Sequence, residues 1–145
     1  MFAFACFRFN TIDAQAASKY TIYVNRKTNL VNVTDSRTGK LVKAMYCSTG
    51  KNYRTISGTY NTTAKYKWRA LIHGVYGQYS TRIHGPYLFH SVPYYSVNKS
   101  KVSTKEYNKL GLQASAGCIR LAVTDAKWIY DNCRIGTKVV IGESR

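Results

Sequence analysis

The sequence predicts a mainly β domain with two short helices near its C-terminus. Short segments alternate between apolar and polar residues, as half-buried strands do, and the 13 tyrosines suit strands that line a groove. Capped patterns typical of helices occur only in the last third of the chain. At 145 residues, the chain is long enough to bury one hydrophobic core without needing disulfide bonds or a structural metal for stability.

The first predicted elements form an antiparallel meander. The segments YTIYVN (20–25), LVNVTD (30–35) and LVKAMYC (41–47) each read as strands, and RKTN and SRTGK supply the turns. Strands joined by such short turns pair as hairpins. A polar loop follows at 48–58. After it, four more strand-like segments are predicted, namely TYNTTA, YKWRALIHG, QYSTRIHG and YLFHSV.

Two helices and a closing strand complete the predicted order. The segment STKEYNKLG (103–111) begins with a Ser or Thr cap and has Glu106 placed for a capping box. The segment TDAKWIYDNC (124–133) begins with a Thr or Asp cap, and GTKVVIG (136–142) reads as a strand. Because no repeat or linker interrupts the pattern, we predict one domain over 18–145.

Residues 1–17 are predicted to be a signal peptide, although the pattern is short. The first nine residues are apolar apart from Arg8, and Ala14-Gln15-Ala16 has the small-x-small form of a cleavage site. The basic region that normally precedes the apolar run is missing, so a disordered tag is the alternative interpretation. We expect a secreted protein.

The charge balance indicates a polyanionic partner. The chain has 22 lysines and arginines against 6 aspartates and glutamates, which gives a formal net charge of +16. Composition alone allows nucleic acid, anionic lipid or an anionic cell wall. Because the chain has so few acidic residues, it offers few candidates for catalysis by paired carboxylates or for a site that binds Mg²⁺ or Ca²⁺.

The four cysteines do not form a metal-binding pattern. Cys6, Cys47, Cys118 and Cys133 include no C-x-x-C pair, and none has a histidine at ligand spacing, which argues against zinc. Cys6 would be lost with the signal peptide. Cys47 and Cys133 are expected to be either free and buried or bridged to one another, with Cys118 in neither arrangement.

The segment ASAGCIRL contains the strongest candidate nucleophile. Gly117 allows close approach of the backbone to a substrate and leaves the sulfur of Cys118 sterically open. His84 and His90 lie upstream in predicted strands, and Arg120 would project on the same side of an extended segment as the sulfur. A base or a positive charge activates a thiol, so this set suits acyl transfer from a substrate with a carboxylate. From the residues alone, a structural cysteine is an equal alternative.

These motifs resemble those of a known family. SAGCIRL resembles the signature of the L,D-transpeptidases, the YkuD-like family, in which a catalytic histidine precedes Ser-x-Gly-Cys. FHSVPY resembles the motif of that histidine, and the similarity extends over YTIYVNRKTNLVNV, MYCSTG, SGTYN and TDAKWIYDNC, or about 19–142. The resemblance implies an L,D-transpeptidase-like β-sandwich or barrel and a catalytic domain over 18–145.

The resemblance also implies a reaction on peptidoglycan. Cys118 would attack the peptide bond after the third residue of a tetrapeptide stem, release D-alanine and form a 3-3 cross-link with a neighbouring stem. His90 would be the general base, and Ser91 would orient its ring. The backbone N–H groups of Gly117 and Cys118 would form the oxyanion hole.

The same resemblance implies the substrate contacts and partners. Arg120, Tyr87 and His84 are expected to bind substrate, and neither metal nor cofactor is required. The expected partners are peptidoglycan stem peptides and anionic cell-wall polymers, rather than nucleic acid. The enzyme is expected to be a monomer that is secreted and associated with the cell wall.

Two departures from the family pattern bear on the choice of base. Ala116 stands where many members have a histidine, so that side chain cannot be the base here. His90 precedes Cys118 by 28 residues, farther than is common, with the short helix around Tyr107 as the insertion. His84 is the alternative base because it lies in an IHG string, and His90 is favoured because a serine follows it.

Two other function classes fit part of the pattern. A sortase-like transpeptidase also uses His, Cys and Arg on a β-barrel, but this chain lacks the Thr-Leu-x-Thr-Cys string and its arginine follows the cysteine too closely. A non-catalytic basic module that binds cell wall or nucleic acid would leave Cys118 inert, with an ordinary thiol pKa and salt-dependent binding.

Overall fold

The computed structural model describes residues 18–144, which form one curled sheet with two α-helices. The strands are β1 (Tyr20–Asn25), β2 (Leu30–Asp35), β3 (Leu41–Ser48), β4 (Gly58–Asn61), β5 (Ala64–Ala70), β6 (Tyr76–His84), β7 (Tyr87–Ser91), β8 (Ile119–Leu121) and β9 (Lys138–Gly142). The helices are α1 (Thr104–Tyr107) and α2 (Val123–Asn132). The predicted signal peptide lies outside the described residues. The mainly β fold class with two late helices is confirmed.

The sheet has the strand order β4-β9-β1-β2-β3-β8-β7-β6-β5. The predicted meander is present, because β1 pairs antiparallel with β2 and β2 pairs antiparallel with β3. The closing strand β9 returns to lie parallel to β1. Neither helix of the described part of the chain has the length and apolar character needed to cross a membrane.

The core is built from the apolar positions of the alternating strands. Ile22 of β1 lies opposite Val33 of β2 on one side and Val139 of β9 on the other, and all three are fully buried. Helix α2 adds Ala126 and Ile129 to the same cluster and packs against β6, β7 and β8. Full burial of one such aliphatic side chain contributes about 1.5–3 kcal/mol.

Both helix starts differ in detail from the sequence prediction. Ser103 Oγ accepts from the Glu106 N–H at 3.2 Å, as a cap should, but the Ser103 N–H already donates to the Pro93 carbonyl at 2.8 Å. The reciprocal half of the capping box is therefore missing, and the Glu106 carboxylate binds elsewhere. Helix α2 begins after Ala122 without a side-chain cap, so the predicted Thr or Asp cap was wrong.

The short strand β8 was not predicted, and it joins the two halves of the sheet. It pairs antiparallel with β3, with Leu121 opposite Cys47, and parallel with β7, with Ile119 opposite Phe89. The predicted strand YKWRALIHG instead ends at Ala70 and turns at 72–74. Because β8 begins at Ile119, the candidate nucleophile immediately precedes a fully paired strand.

Candidate active site

Strands β7 and β8 bring the predicted thiol and imidazole to one face of the sheet. Phe89 lies opposite Ile119 and both are fully buried in the core, whereas the next pair is His90 opposite Arg120. Since side chains alternate along a strand, His90, Arg120 and Cys118 project to the face opposite the core. All three line a cavity of about 610 Å³.

The turn that presents Cys118 is closed by a serine hydroxyl. Ser115 Oγ donates to the Cys118 carbonyl at 2.5 Å and accepts from the Gly117 N–H at 3.1 Å. Gly117 has φ +154°, and a Cβ there would lie 3.0 Å from Cε1 of Tyr87. Glycine is therefore required at this position both for the backbone conformation and for the close contact with Tyr87.

A threonine hydroxyl anchors the same turn to the loop after β3. Thr55 Oγ1 donates to the Gly117 carbonyl at 2.7 Å and accepts from the Gly50 N–H at 2.8 Å. Gly50 packs so closely that a Cβ on it would lie 3.0 Å from the Gly117 Cα. These buried bonds fix the backbone that holds the sulfur.

Gly117, predicted to contribute an N–H group to the oxyanion hole, makes a hydrogen bond within the turn. Its N–H is already used by Ser115 Oγ within the buried turn, so it is not free to bind a developing oxyanion. The Cys118 N–H is the donor that remains from the predicted pair. The pattern missed this because a local serine-to-backbone bond competes for the same N–H group.

The histidine ring is held by the backbone of the next residue. His90 Nδ1 lies 2.5 Å from the Ser91 carbonyl oxygen, which can only accept, so Nδ1 carries the proton and Nε2 keeps a free lone pair. The Ser91 hydroxyl instead donates to the Val92 carbonyl and accepts from the Gln78 N–H, each at 2.9 Å. The Ser91 carbonyl, rather than its side chain, therefore contacts the ring.

Gly77 of β6 supplies the space in which this ring packs. A Cβ at position 77 would lie 2.8 Å from the His90 Cβ and 3.0 Å from its Nδ1. His90 is 2% exposed, so the imidazole is enclosed by strands on both sides. Position 77 therefore tolerates no larger side chain without moving His90.

Burial sets the resting protonation of both groups. Burial lowers the pKa of His90 to about 4, the Ser91 hydrogen bond acts to raise it, and the Arg120 charge lowers it further. Burial raises the pKa of the half-buried Cys118 thiol, opposed by a hydrogen bond from the Leu88 backbone and by the charges of Arg120 and Arg82. At neutral pH the site therefore holds a neutral thiol and a neutral imidazole.

Arg120 is bound by the inserted segment rather than left free. Its Nη1 lies 2.6 Å from Glu106 Oε2 and 3.3 Å from the Ala114 carbonyl, and Lys109 Nζ bonds the other Glu106 oxygen at 2.9 Å. The pair is largely shielded from solvent, with exposures of 18% and 20%. Arg120 thus connects α1 to β8 and holds the insertion against the cavity.

Most of the predicted site residues line the cavity, but His84 does not. Tyr87 and Gly117 line it with Cys118, whereas His84 is exposed and its ring packs on Tyr60 at 4.9 Å between centroids. His84 therefore lies outside the cavity that contains most of the other predicted site residues, and its contact with substrate stays a prediction. Its alternative role as base is not supported by this position either.

The cavity also contains residues that the sequence did not indicate. These are His73, Arg69, Arg82, Lys105 and Glu106. Their positions depend on the hairpin of β5 and β6 and on the insertion after β7, and the IHG string at 72–74 that contains His73 was predicted only as part of a strand. Within residues 18–144, no group of three or more His, Cys, Asp and Glu side chains is placed to hold a metal ion.

Fold and site together define a class of protein in which a curled β-sheet places a thiol, a neutral imidazole and guanidinium groups in one cavity. The family described as the L,D-transpeptidase catalytic domain, YkuD, matches this sequence over residues 19–141. The chain therefore belongs to the L,D-transpeptidase catalytic domain family, as the sequence motifs predicted.

Three similar proteins illustrate the relationship. "Putative L,D-transpeptidase YciB" of Bacillus subtilis strain 168 is 53% identical over 62 residues, which are 43% of this chain and 31% of that protein. A fused Zn-dependent amidase/peptidase/peptidoglycan-binding domain-containing protein of Clostridium acetobutylicum is 32% identical, with a TM-score of 0.66 over 85% of this chain and 51% of that one. The L,D-transpeptidase LdtMt1 in complex with imipenem is 18% identical, with a TM-score of 0.70 over 85% and 58%.

Each comparison covers a larger share of this chain than of the protein to which it is similar. This chain spans about a third of the curated Bacillus relative and little more than half of the two solved structures. The likeness to LdtMt1 is one of fold, since the sequence identity is low.

Proposed function

We propose that this protein is a peptidoglycan L,D-transpeptidase that works by cysteine acyl transfer. The observation that supports this most directly is that His90 on β7 and Cys118, immediately before the neighbouring parallel strand β8, line one cavity. The imidazole is neutral, and Nε2 is its only nitrogen able to accept a proton. These are the properties that a general base for a thiol needs.

In this proposal His90 acts as base and then as acid. Nε2 takes the proton from the Cys118 thiol while Sγ attacks the carbonyl carbon of the third stem residue. The C–N bond then breaks, the proton passes from Nε2 to the departing D-alanine amine, and a thioester remains. The amine of a neighbouring stem attacks that thioester, Nε2 takes its proton, and Sγ leaves as the restored thiol.

Proton transfer must accompany attack, because the thiol is neutral at rest. The raised pKa of Cys118 makes a preformed thiolate scarce at neutral pH, and the low pKa of His90 keeps its lone pair available. The Cys118 N–H would donate to the developing oxyanion, and one such donor typically contributes about 3 kcal/mol to transition-state stabilisation. Ser115 and Thr55 hold the turn that aims this N–H.

The charge of the chain supports a location at the cell wall. A formal net charge of +16 favours retention on anionic wall polymers, and the predicted signal peptide would export the domain. We propose a secreted, wall-associated monomer whose substrates are peptidoglycan stem peptides.

The test is turnover of purified stem peptides, followed by mass spectrometry. We expect D-alanine release and a cross-linked dimer from tetrapeptide stems but not from pentapeptide stems. Cys118→Ala should abolish both while its melting temperature stays within a few degrees, and His90→Ala should lower the rate by roughly a hundred- to ten-thousand-fold. His84→Ala is the matched histidine control and should retain activity, since His84 lies outside the cavity. Turnover by Cys118→Ala would refute cysteine acyl transfer.

A further inference from the structure

A pair of arginines and a tyrosine form a cationic cluster at the side of the cavity built by β5 and β6. This arginine cluster consists of Arg69, Arg82 and Tyr66. The Cζ atoms of Arg69 and Arg82 lie 4.7 Å and 5.5 Å from the centroid of the Tyr66 ring. Arg82 also donates from Nη2 to the Tyr66 hydroxyl at 3.0 Å and from Nη1 to the Gly85 carbonyl. These contacts hold the Arg82 guanidinium in place.

Neither arginine of the cluster has a carboxylate partner within residues 18–144. The ion pairs of that part of the chain involve Arg26, Lys43, Lys109, Arg120 and Lys127. Arg69 and Arg82 both line the cavity, and Glu106, which also lines it, is already paired with Arg120. Two positive charges therefore face the cavity uncompensated by any described carboxylate.

The cluster lies close enough to the thiol for its charge to act there. Arg82 and Cys118 line the same cavity, and the Arg82 charge acts to lower the pKa of the thiol. A guanidinium has five N–H donors, and the contacts with Tyr66 and Gly85 use two of them. Donors therefore remain for an anionic group bound beside the sulfur.

We propose that Arg82, supported by Tyr66 and Arg69, is the specificity-determining residue that binds a carboxylate of the stem peptide next to the scissile bond. This proposal rests on the proposed function and names the substrate group that the site recognises. A carboxylate suits the planar fork of arginine, which can bind both oxygens. Because the Arg82 side chain is already held, binding costs little of its rotamer freedom.

Arg82 fits this role better than Arg120, which the sequence indicated. A substrate carboxylate at Arg120 would lie near the like charge of the Glu106 carboxylate, which is already 2.6 Å from Nη1 and would repel it. At Arg82 the same carboxylate would meet only neutral acceptors, the Tyr66 hydroxyl and the Gly85 carbonyl. The Arg120 contacts are instead those of a brace between α1 and β8.

The experiment measures binding separately from turnover. In the Cys118→Ala background, calorimetry gives the Kd of a tetrapeptide stem with and without Arg82→Gln and Arg82→Lys. We expect Arg82→Gln to weaken binding roughly ten- to hundred-fold, the loss of a charge-assisted hydrogen-bonded pair, and Arg82→Lys to recover only part of it. Lys67→Gln removes an equal charge from an exposed position of β5 outside the cavity and should change Kd less than threefold.

Two amidated stems identify which carboxylate binds. One carries an amide in place of the side-chain carboxylate of the third, diamino residue, and the other an amide at its C-terminus. Arg82→Gln should no longer raise the Kd of the stem that lacks the carboxylate bound by Arg82. It should still raise the Kd of the other amidated stem. A penalty that persists equally with both amidated stems would overturn the proposal.

Failure of this proposal is distinguishable from failure of the proposed function. If the unaltered protein turns over tetrapeptides and Arg82→Gln binds them as tightly, the carboxylate subsite is refuted and acyl transfer stands. If Arg82→Gln weakens binding selectively but no stem is turned over, the subsite stands and the proposed reaction fails. Equal weakening by Lys67→Gln and Arg82→Gln would reveal only general charge attraction and would also refute the subsite.

Discussion

The Glu106 carboxylate lies 2.6 Å from Nη1 of Arg120, across the gap between the inserted helix α1 and strand β8. The two residues are 14 positions apart in sequence, and the pair holds the insertion beside the candidate nucleophile. Both side chains are mostly shielded, so loss of either leaves a poorly solvated charge.

Glu106→Gln should therefore destabilise the fold. A hydrogen bond to a charged group contributes about 1.5–3 kcal/mol, and we expect a loss in that range in the free energy of unfolding measured by urea denaturation. Asp131→Asn is the matched control, because its pair with Lys127 is an exposed pair along one helix, worth less than about 1 kcal/mol. Equal losses for the two variants would show that the Glu106 pair has no structural role.

The low pKa of His90 makes stability depend on pH in a defined window. Its folded-state pKa is about 4, against 6.5 in an unfolded chain, so only the unfolded state takes the proton between these values. The contribution is fully present above pH 6.5 and is lost as pH falls through 4, for a total of about 3 kcal/mol. The slope of unfolding free energy against pH should shrink in His90→Gln. An unchanged slope would mean that His90 titrates normally.

Gly77→Ala should impair the site by displacing His90. The added methyl would lie 2.8 Å from the His90 Cβ, and overpacking of this kind costs about 1–3 kcal/mol. The turnover rate should fall further than stability alone implies, since a 1 Å shift in a reacting group can cost about a hundred-fold. Gly142→Ala is the control, because its methyl would meet nothing within 4 Å. Normal activity of Gly77→Ala would show that His90 needs no such packing.

The three described cysteines should differ sharply in reactivity. Cys47 and Cys133 are free and buried, and burial raises the pKa of Cys133 to about 11 and that of Cys47 higher. Alkylation under native conditions should therefore label the half-buried Cys118 and spare the other two, which should react only after denaturation. Peptide mapping measures each site. A Cys47–Cys133 disulfide in the isolated protein would contradict this assignment.

The sequence was sufficient to predict those parts of the fold that depend on local alternation. Strands β1 and β2 have the predicted bounds, because alternate apolar residues, Ile22 and Val24 in β1 and Val31 and Val33 in β2, are buried in the core. Strand β8 was missed because three residues, Ile119–Leu121, are too few for a period to be recognised. It forms only because β3 and β7 lie on either side of it.

The same distinction applies to the site. Cys118 and His90 were found because each lies within a short motif, and the structure places both in one cavity. Arg82 was missed because its position depends on the pairing of β5 with β6, which brings Tyr66 beneath it. Glu106 was predicted to complete a capping box, because local spacing could not reveal its ion pair with Arg120, which is distant in sequence.

Formation of an acyl-enzyme at Cys118 is tested most directly by intact-mass spectrometry after incubation with imipenem. A carbapenem contains a strained amide that a nucleophilic thiol can open to form a thioester, which makes imipenem a suitable probe. We predict one added mass of the opened β-lactam, mapped to the peptide that contains Cys118, and none in Cys118→Ala. An unmodified protein, or an adduct that persists in Cys118→Ala, would contradict it.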